Sequence, residues 1–179
     1  GNLQWAKTFG GSGWDYAYSV QQTSDGGYIV AGYTDSFGAG LSEVFLLKTD
    51  ALGNLQWAKT FGGSVVDHSY SVQQTIDGGY IVAGYTYSFG AGWEDAFLLK
   101  TDASGNLQWA KTFGGDTTDY ALSVQQTSDG GYIVAGYTYS FDAGYYDAFL
   151  LKTDASGNLQ WAKTFGGSDY DWASSVQQT

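Results

Sequence analysis

Two patterns of apolar and polar residues alternate along the chain, and both are typical of β-strands. The run from Leu159 to Phe165 (LQWAKTF) places its large side chains on one face and its small or polar ones on the other, as a strand with a period of two does. The run from Tyr132 to Thr138 (YIVAGYT) is almost continuously apolar, which indicates a strand covered on both faces. Asp-Gly and Gly-Asn clusters separate such runs and favour tight turns.

These runs combine into a unit of four strands, which we name a, b, c and d in chain order. In the best-marked unit we predict strands from Tyr120 to Thr127, from Tyr132 to Thr138, from Ala148 to Thr153 and from Leu159 to Phe165. Tight turns join a to b and c to d, and a longer connection over residues 139–147 joins b to c. The unit is therefore predicted to be a four-stranded antiparallel meander.

The unit is repeated along the chain. The stretch GNLQWAKTFGG begins at Gly1, Gly53, Gly105 and Gly157, always 52 residues apart. Such a period is typical of stacked or radially arranged units that cannot bury their apolar faces alone. We interpret residues 1–179 as one repeat domain with units 1–52, 53–104 and 105–156 and a partial unit 157–179. The predicted fold class is all-β, a β-propeller with four-stranded blades of 52 residues, and the alternative is a β-trefoil.

The sequence at the two ends predicts an open structure. The chain begins with a lone strand d, from Leu3 to Phe9, and ends with a lone strand a, from Asp171 to Thr179, so that strands b and c of a fourth blade are absent. Unpaired strand edges recruit other strands. We therefore expect the chain not to close by itself, and to join further copies in a homo-oligomer or filament through these two edges.

Three stretches of the best-marked unit carry a family resemblance. They are DYALSVQQTSDGGYIVAGYT at residues 119–138, DAFLLKTDASGN at 147–158 and WAKTFGG at 161–167. With these stretches the chain resembles the tandem β-propeller repeats of secreted and surface proteins in archaea and bacteria, over its whole length. The resemblance implies a propeller, an extracellular or cell-surface location, and adhesion or interaction as the activity. It implies no shared set of catalytic residues.

Composition narrows the chemistry. The net charge is −11 with no arginine, which disfavours nucleic acid and anionic membrane surfaces as partners. The 27 glycines interrupt every apolar run, so we expect no membrane insertion. With no cysteine and His68 as the single histidine, nucleophilic triads and the usual zinc sites lack their parts. We predict no enzymatic activity, no cofactor and no metal.

Recurrent acids are the remaining chemical candidates. One set precedes strand a and the other precedes strand c: Asp15, Asp67, Asp119 and Asp171, then Glu43, Asp95 and Asp147. Such acids could bind calcium or act as a glycosidase pair. Within one blade, however, strands a and c are two strand spacings apart, or about 10 Å. We interpret each aspartate as the acceptor of backbone N–H groups in its own turn.

Differences between the repeats concentrate at one end of the predicted sheet. The units 53–104 and 105–156 differ at 10 positions, nine of which fall around the d-to-a and b-to-c connections. In an antiparallel meander these connections lie at the same end of the strands, which we name the variable face. It carries aromatic residues that we predict to be ligand-binding: Trp14, Tyr87, Trp93, Tyr139, Tyr145, Tyr146 and Trp172.

Aromatic rings beside acids suit the stacking of sugars, so a glycan or a surface protein is the expected ligand of the variable face. The alternative is that these rings only cover loop backbone. Our leading interpretation is a non-enzymatic, extracellular structural or adhesive module that self-assembles. A lectin-like, glycan-binding propeller is the second hypothesis, and a glycosidase is a distant third.

Overall fold

The computed structural model of the chain describes residues 1–141 and 144–179. Asp142 and Ala143, which belong to the predicted connection over residues 139–147, lie outside the described residues. Strands make up the regular structure, and the described residues contain no helix. Consequently no helix among them is long and apolar enough to cross a membrane.

The twelve strands follow the repeat. They are β1 (Asp15–Gln22), β2 (Tyr28–Thr34), β3 (Glu43–Thr49), β4 (Leu55–Phe61), β5 (Asp67–Gln74), β6 (Tyr80–Thr86), β7 (Asp95–Thr101), β8 (Leu107–Phe113), β9 (Asp119–Gln126), β10 (Tyr132–Thr138), β11 (Asp147–Thr153) and β12 (Leu159–Phe165). The bounds of β9 to β12 agree with the four predicted strands to within one residue.

The strands form three four-stranded antiparallel sheets, each with its strands in sequence order. Sheet 1 contains β1 to β4, sheet 2 contains β5 to β8 and sheet 3 contains β9 to β12. Each sheet is one a-b-c-d meander, so strand d and strand a form its two edges. The prediction of an all-β fold built from tandem four-stranded repeats is confirmed.

The turn between strands a and b is tied to strand c by an ion pair. In sheet 2, Asp77 accepts hydrogen bonds from Thr75 Oγ1 at 2.5 Å and from the backbone N–H of Gly79 at 3.0 Å. Lys100 on β7 is buried and places its Nζ 2.9 Å from Asp77 Oδ2. Burial raises the pKa of Asp77, but the hydrogen bonds from Thr75, Lys100 and Gly79 outweigh it and lower this pKa to about 2. Equivalent pairs join Lys48 to Asp25 and Lys152 to Asp129.

A β-bulge in strand a depends on a glycine in strand b. The register between β5 and β6 shifts between Ser69 and Ser71, so Tyr70 has no partner on β6. Beside the shift, a Cβ on Gly84 would lie 1.9 Å from the backbone oxygen of His68. No side chain fits there, which explains why Gly32, Gly84 and Gly136 occupy this position in all three sheets.

Neighbouring sheets pack face to face and share their cores. One buried cluster combines Leu46 of sheet 1 with Val72 and Tyr80 of sheet 2, and a second combines Ile81 of sheet 2 with Val124 of sheet 3. Every residue of β6 and β7 is buried, because these strands are the middle strands of the middle sheet. The apolar pattern that predicted strands covered on both faces is therefore satisfied between sheets.

Side chains of strand a fix the register between the sheets. The backbone N–H of Val72 donates to Ser19 Oγ at 3.2 Å, and the backbone N–H of Gln74 donates to Gln21 Oε1 at 2.6 Å. The same two bonds recur 52 residues later, from Val124 and Gln126 to Ser71 and Gln73, at the same distances. Sheet 2 therefore packs on sheet 1 in the same register as sheet 3 packs on sheet 2.

The tryptophan of strand d packs on the following sheet. The ring of Trp57 lies edge-on to Tyr80 at 5.7 Å, and Trp109 lies in the same way against Tyr132 at 5.7 Å. Both tryptophans contact the neighbouring core but stay partly exposed at the outer edge of their sheets. Trp161, at the same position of strand d in sheet 3, is 40% exposed, because no described sheet follows sheet 3.

Residues 3–9 and 171–179 belong to none of the three sheets. We predicted them as lone strands d and a, and because a strand without a partner has no ladder, this stays a prediction. They nevertheless lie on the stack. Trp5 packs edge-on to Tyr28 at 5.8 Å, and the backbone N–H of Gln178 donates to Gln125 Oε1 at 2.6 Å.

The ion pair of Lys100 provides a test of the fold. Asp77→Asn leaves a buried ammonium without its carboxylate, so we expect a loss of about 2–4 kcal/mol in the free energy of unfolding. The matched control is Asp116→Asn, at an exposed position, with an expected change below about 0.5 kcal/mol. In urea melts, equal effects of the two changes would contradict a structural role for the pair. The double variant with Lys100→Met should recover part of the loss.

Candidate functional site

The variable face is formed by one end of all three sheets. Asp15 at the start of β1 is paired with Thr34 at the end of β2, and Thr34 is paired with Glu43 at the start of β3. The d-to-a and b-to-c connections therefore meet at this end, as the meander predicted. The Asp-Gly turns lie at the opposite end of the strands.

The seven predicted aromatic residues lie on this face with different degrees of exposure. Six are exposed, from 42% at Tyr87 to 77% at Trp93, and Tyr146 is half-buried. Tyr146 packs on Tyr139 at 5.4 Å and on Tyr170 at 5.7 Å, and Tyr145 stacks on Tyr170 at 4.7 Å. The structure thus brings together three of the seven residues on sheet 3, around Tyr170, which the sequence analysis had not selected.

Two of the remaining predicted residues pack on rings of sheets 1 and 2. Trp14 stacks on Tyr16 of sheet 1 at 6.1 Å, and Tyr87 lies edge-on to Tyr85 of sheet 2 at 6.0 Å. Trp172 is 62% exposed and lies in the segment that follows sheet 3. The seven residues are therefore distributed over the face rather than gathered in one pocket.

A continuous file of six rings runs across the stack beneath the variable face. It alternates between the first ring of strand a and the tyrosine near the end of strand b: Tyr16, Tyr33, His68, Tyr85, Tyr120 and Tyr137. Successive ring centroids are 4.9, 3.7, 5.2, 4.1 and 4.8 Å apart. His68 is one planar ring of this file, at the position that Tyr16 and Tyr120 occupy in the other sheets.

His68 is held by neutral hydrogen-bonding partners on both ring nitrogens. Its Nε2 is 2.9 Å from Ser42 Oγ of sheet 1, and its Nδ1 is 2.9 Å from Tyr85 Oη of its own sheet. The ring stacks on Tyr33 with an interplanar angle of 6°. Removal from water in this file lowers the pKa of His68, although the charges of Asp35 and Asp67 act in the opposite direction.

Glu94 is a partly buried carboxylate among tyrosines at the junction of sheets 2 and 3. Its oxygens accept hydrogen bonds from Tyr120 Oη and, at 2.8 Å, from Thr118 Oγ1. A hydrogen bond to Glu94 also raises the pKa of Tyr87 to about 12. Burial, together with this carboxylate, raises the pKa of Tyr120. These hydroxyls are therefore neutral hydrogen-bonding groups at neutral pH.

Sequence reasoning missed the pairing that places Glu94. The positions 42, 94 and 146 recur every 52 residues, and the first two contact the strand-a ring of the next sheet, 26 residues further along. Serine meets histidine in one junction, and glutamate meets tyrosine in the next. The signal available in the sequence was that both positions vary from one repeat to the next, in a chain whose repeats are otherwise similar.

The acids before strand a take the structural role that we expected for them. Asp67 is buried, and its Oδ2 accepts hydrogen bonds from the backbone N–H of Gly63 at 2.8 Å and from Ser88 Oγ at 2.7 Å. Its Oδ1 accepts a hydrogen bond from Thr86 Oγ1. Asp15 and Asp119 accept the equivalent bonds in sheets 1 and 3. These carboxylates close their loops.

The acids before strand c approach those of the following sheet, which the spacing within one sheet did not predict. A Cβ on Gly114 would lie 2.2 Å from Asp95 Oδ1 and 2.6 Å from Asp119 Oδ2, so the two carboxylates flank this glycine. Burial, and to a smaller extent the charge of Asp119, raises the pKa of Asp95. Within residues 1–141 and 144–179 no third histidine or acid joins such a pair.

An apolar groove runs along the outer side of each junction between neighbouring sheets. The groove between sheets 1 and 2 has a volume of about 610 Å³ and is lined by apolar side chains such as Phe61, Phe89, Phe97 and Leu99. A groove of about 440 Å³ between sheets 2 and 3 is lined by the residues at the equivalent repeat positions. Phe89 is 57% exposed at the mouth. The grooves thus repeat with the sheets.

Comparison with known proteins supports the fold and leaves the activity open. No family model matches the chain. The regulatory protein FlaEY of Caulobacter vibrioides is 28% identical over 186 residues, which cover 88% of this chain and only 20% of FlaEY. The chain therefore spans about a fifth of that relative. A protein of unknown function from Bacteroides caccae has a similar structure, with a TM-score of 0.50 and 13% identity, over 87% of this chain and 48% of that one.

The lowered pKa of His68 provides a test of the ring file. Because the folded state holds His68 neutral, protonation favours the unfolded chain, whose histidine pKa is about 6.5. We therefore expect the free energy of unfolding to fall as the pH is lowered from about 7 towards the folded-state pKa. His68→Tyr, which copies the residue at position 120, should remove this contribution to the pH dependence of the free energy of unfolding, measured by chemical denaturation. An unchanged slope in the variant would contradict the assignment.

Proposed function

We propose that the chain is a non-enzymatic structural or adhesive propeller module that acts outside the cell and assembles with further copies of itself. The observation that carries this proposal is the repeated junction between sheets, which leaves an apolar face only partly covered at each end of the described stack. The extracellular location rests on the resemblance to tandem propeller repeats of secreted and surface proteins.

The arrangement of the sheets favours a propeller over a β-trefoil. Each unit forms a separate four-stranded meander in which strand a and strand d are the edges. Consecutive sheets pack face to face through equivalent contacts, as the blades of a propeller do. A β-trefoil would instead join its repeats in one common barrel. The three sheets are interpreted as three consecutive blades.

Self-assembly is supported by the exposure of strand d. In β4 and β8 the tryptophan and the final phenylalanine are partly buried by the next sheet, whereas every residue of β12 is exposed. Trp161 is 40% exposed and Phe165 is 55% exposed on this strand. Large apolar side chains left exposed together on one strand indicate a surface that takes a partner.

A lectin-like activity is the second candidate, and the tyrosine cluster on sheet 3 favours it. Tyr139 and Tyr145 are 44% and 49% exposed, and they flank the half-buried Tyr146. Glu94 lies at the neighbouring junction and contributes a carboxylate that accepts hydrogen bonds from hydroxyl groups. Ring faces beside such an acceptor suit a saccharide.

The mass of the particle in solution tests the first proposal. We expect light scattering to give a multiple of the chain mass of 19.2 kDa, or a fibre. Because the net charge of −11 opposes association, the multimer should gain weight as the salt concentration rises. A particle of 19.2 kDa at all accessible concentrations would contradict self-assembly.

Binding to a glycan array tests the second candidate. Serine substitutions at Trp93, Tyr145 and Tyr146 should abolish glycan binding, because they remove the ring faces, with little effect on stability. The matched control is Ile76→Ser, which removes a 94% exposed side chain at the opposite end of the strands. Equal loss of binding in the Ile76→Ser control would mean that the ligand does not bind specifically at the variable face. An array without any signal would contradict the lectin hypothesis.

A further inference from the structure

The exposed side of sheet 3 is one half of an interface that already occurs twice inside the chain. Trp57 and Phe61 on β4 pack on the core of sheet 2, and Trp109 and Phe113 on β8 pack on the core of sheet 3. Trp161 and Phe165 on β12 have the same spacing and sequence. We name this side of sheet 3 the outgoing face.

Sheet 1 carries the other half. Val72 and Val124 on β5 and β9 are each only 6% exposed because they pack on the preceding sheet, whereas Val20 at the same position of β1 is 66% exposed. Tyr80 and Tyr132 receive the tryptophan of the preceding sheet. Tyr28 occupies their position in sheet 1. We name this side of sheet 1, with Val20 and Tyr28, the incoming face.

We propose that the outgoing face of one copy binds the incoming face of a second copy, head to tail, so that the junction between copies repeats the junctions between sheets. The proposal rests on the self-assembly proposed above and specifies its partner and polarity. The two faces are complementary because the chain already forms the same interface between its own sheets. In the proposed junction Trp161 of one copy packs on Tyr28 of the next, as Trp109 packs on Tyr132.

Residues 171–179 already occupy part of the outgoing face. The backbone N–H of Val176 donates to Ser123 Oγ at 3.2 Å, and that of Gln178 donates to Gln125 Oε1 at 2.6 Å. These bonds repeat, with the same lengths, those by which β5 and β9 sit on the preceding sheets. Residues 171–179 therefore hold the place that β1 of an incoming copy takes.

Residues 3–9 hold the corresponding place on the incoming face. Trp5 packs on Tyr28 at 5.8 Å, and its ring also covers Gly53, as Trp57 covers Gly105 and Trp109 covers Gly157. The sequence of residues 3–9 is identical to that of β12. At each junction between copies, the position of strand d can be occupied by β12 of one copy or by residues 3–9 of the next. The position of strand a can be occupied by residues 171–179 of the first copy or by β1 of the next.

Backbone pairing determines which of the two competing segments is displaced. β1 and β12 are held by antiparallel ladders to β2 and β11, whereas residues 3–9 and 171–179 have no such ladder in the described structure. A whole sheet also brings Val20 and Tyr28, which residues 171–179 cannot supply together. The two unpaired segments therefore act as caps that leave when the copies join.

Two variants with one blocked face each test the polarity. Val20→Glu puts a charge on the incoming face, and Trp161→Glu puts one on the outgoing face, with Phe165→Glu as a second outgoing variant in case Trp161→Glu unfolds. Each variant alone should be a monomer by light scattering. An equimolar mixture of an incoming and an outgoing variant should form a particle of twice the chain mass, because one intact face of each kind remains.

The outcomes separate this proposal from the one on which it rests. If the unmodified chain is a monomer, self-assembly itself fails. If the unmodified chain is a multimer but either single variant still dimerises alone, the contact joins like faces and the head-to-tail proposal is overturned. The same conclusion follows if the unmodified chain and both variants are well folded, each variant is monomeric, and their mixture stays monomeric.

The caps are tested separately. Val176→Ser weakens the hold of residues 171–179 on sheet 3 without changing either face, so we expect the association constant of the chain to rise several-fold. Ser174→Ala, at an exposed position of the same segment, is the control and should leave it unchanged. A weaker association after Val176→Ser would mean that residues 171–179 are part of the junction between copies rather than a cap.

Discussion

The structure depends on the coverage of each sheet by its neighbours. Strands b and c are apolar on both faces, so a single meander exposes a core on either side and cannot be stable alone. In the middle sheet, where neighbours lie on both sides, every residue of β6 and β7 is buried. Stability is then a sum of sheets and of junctions between sheets, as in other repeat proteins. The ends of such a stack are its weakest and most reactive parts.

Polar groups at the junctions make this coverage specific. Apolar faces alone would allow one sheet to slide along the next, but the serine and glutamine of strand a bind backbone N–H groups at fixed positions. The buried lysine of strand c and the aspartate of the a-to-b turn fix the opposite end of each sheet. At the variable face, the pairs around His68 and Glu94 differ between junctions. The framework is therefore constant, while this end can change its chemistry.

The sequence was sufficient to predict the strands, their order and the end at which the variable connections meet, because these depend on local patterns. Each of these patterns is contained in a stretch of fewer than ten residues. They are the period of two in strand d, the apolar run in strand b and the Asp-Gly turns. The bulge beside Gly84 was not predicted, because the need for a glycine there arises from the backbone oxygen of another strand, at His68.

Contacts between sheets were the main part that could not be predicted. Asp95 and Asp119 meet around Gly114, and Glu94 meets Tyr120, only because one sheet is placed on the next with a particular offset. The spacing of strands within a sheet, which guided the sequence argument, contains no information on that offset. For the same reason the sequence did not indicate how residues 3–9 and 171–179 lie on the neighbouring sheets, through Trp5 on Tyr28 and Gln178 on Gln125.

The most direct test of neighbour coverage is the solvent accessibility of individual tryptophans, measured by hydroxyl-radical footprinting over a range of chain concentrations. Trp109 is already covered by sheet 3, and the 77% exposed Trp93 serves as the uncovered reference. If a further sheet covers the outgoing face, oxidation of Trp161 falls to the level of Trp109 as the chain associates, while Trp93 stays reactive. Association that leaves Trp161 as reactive as in the dilute chain would contradict the account.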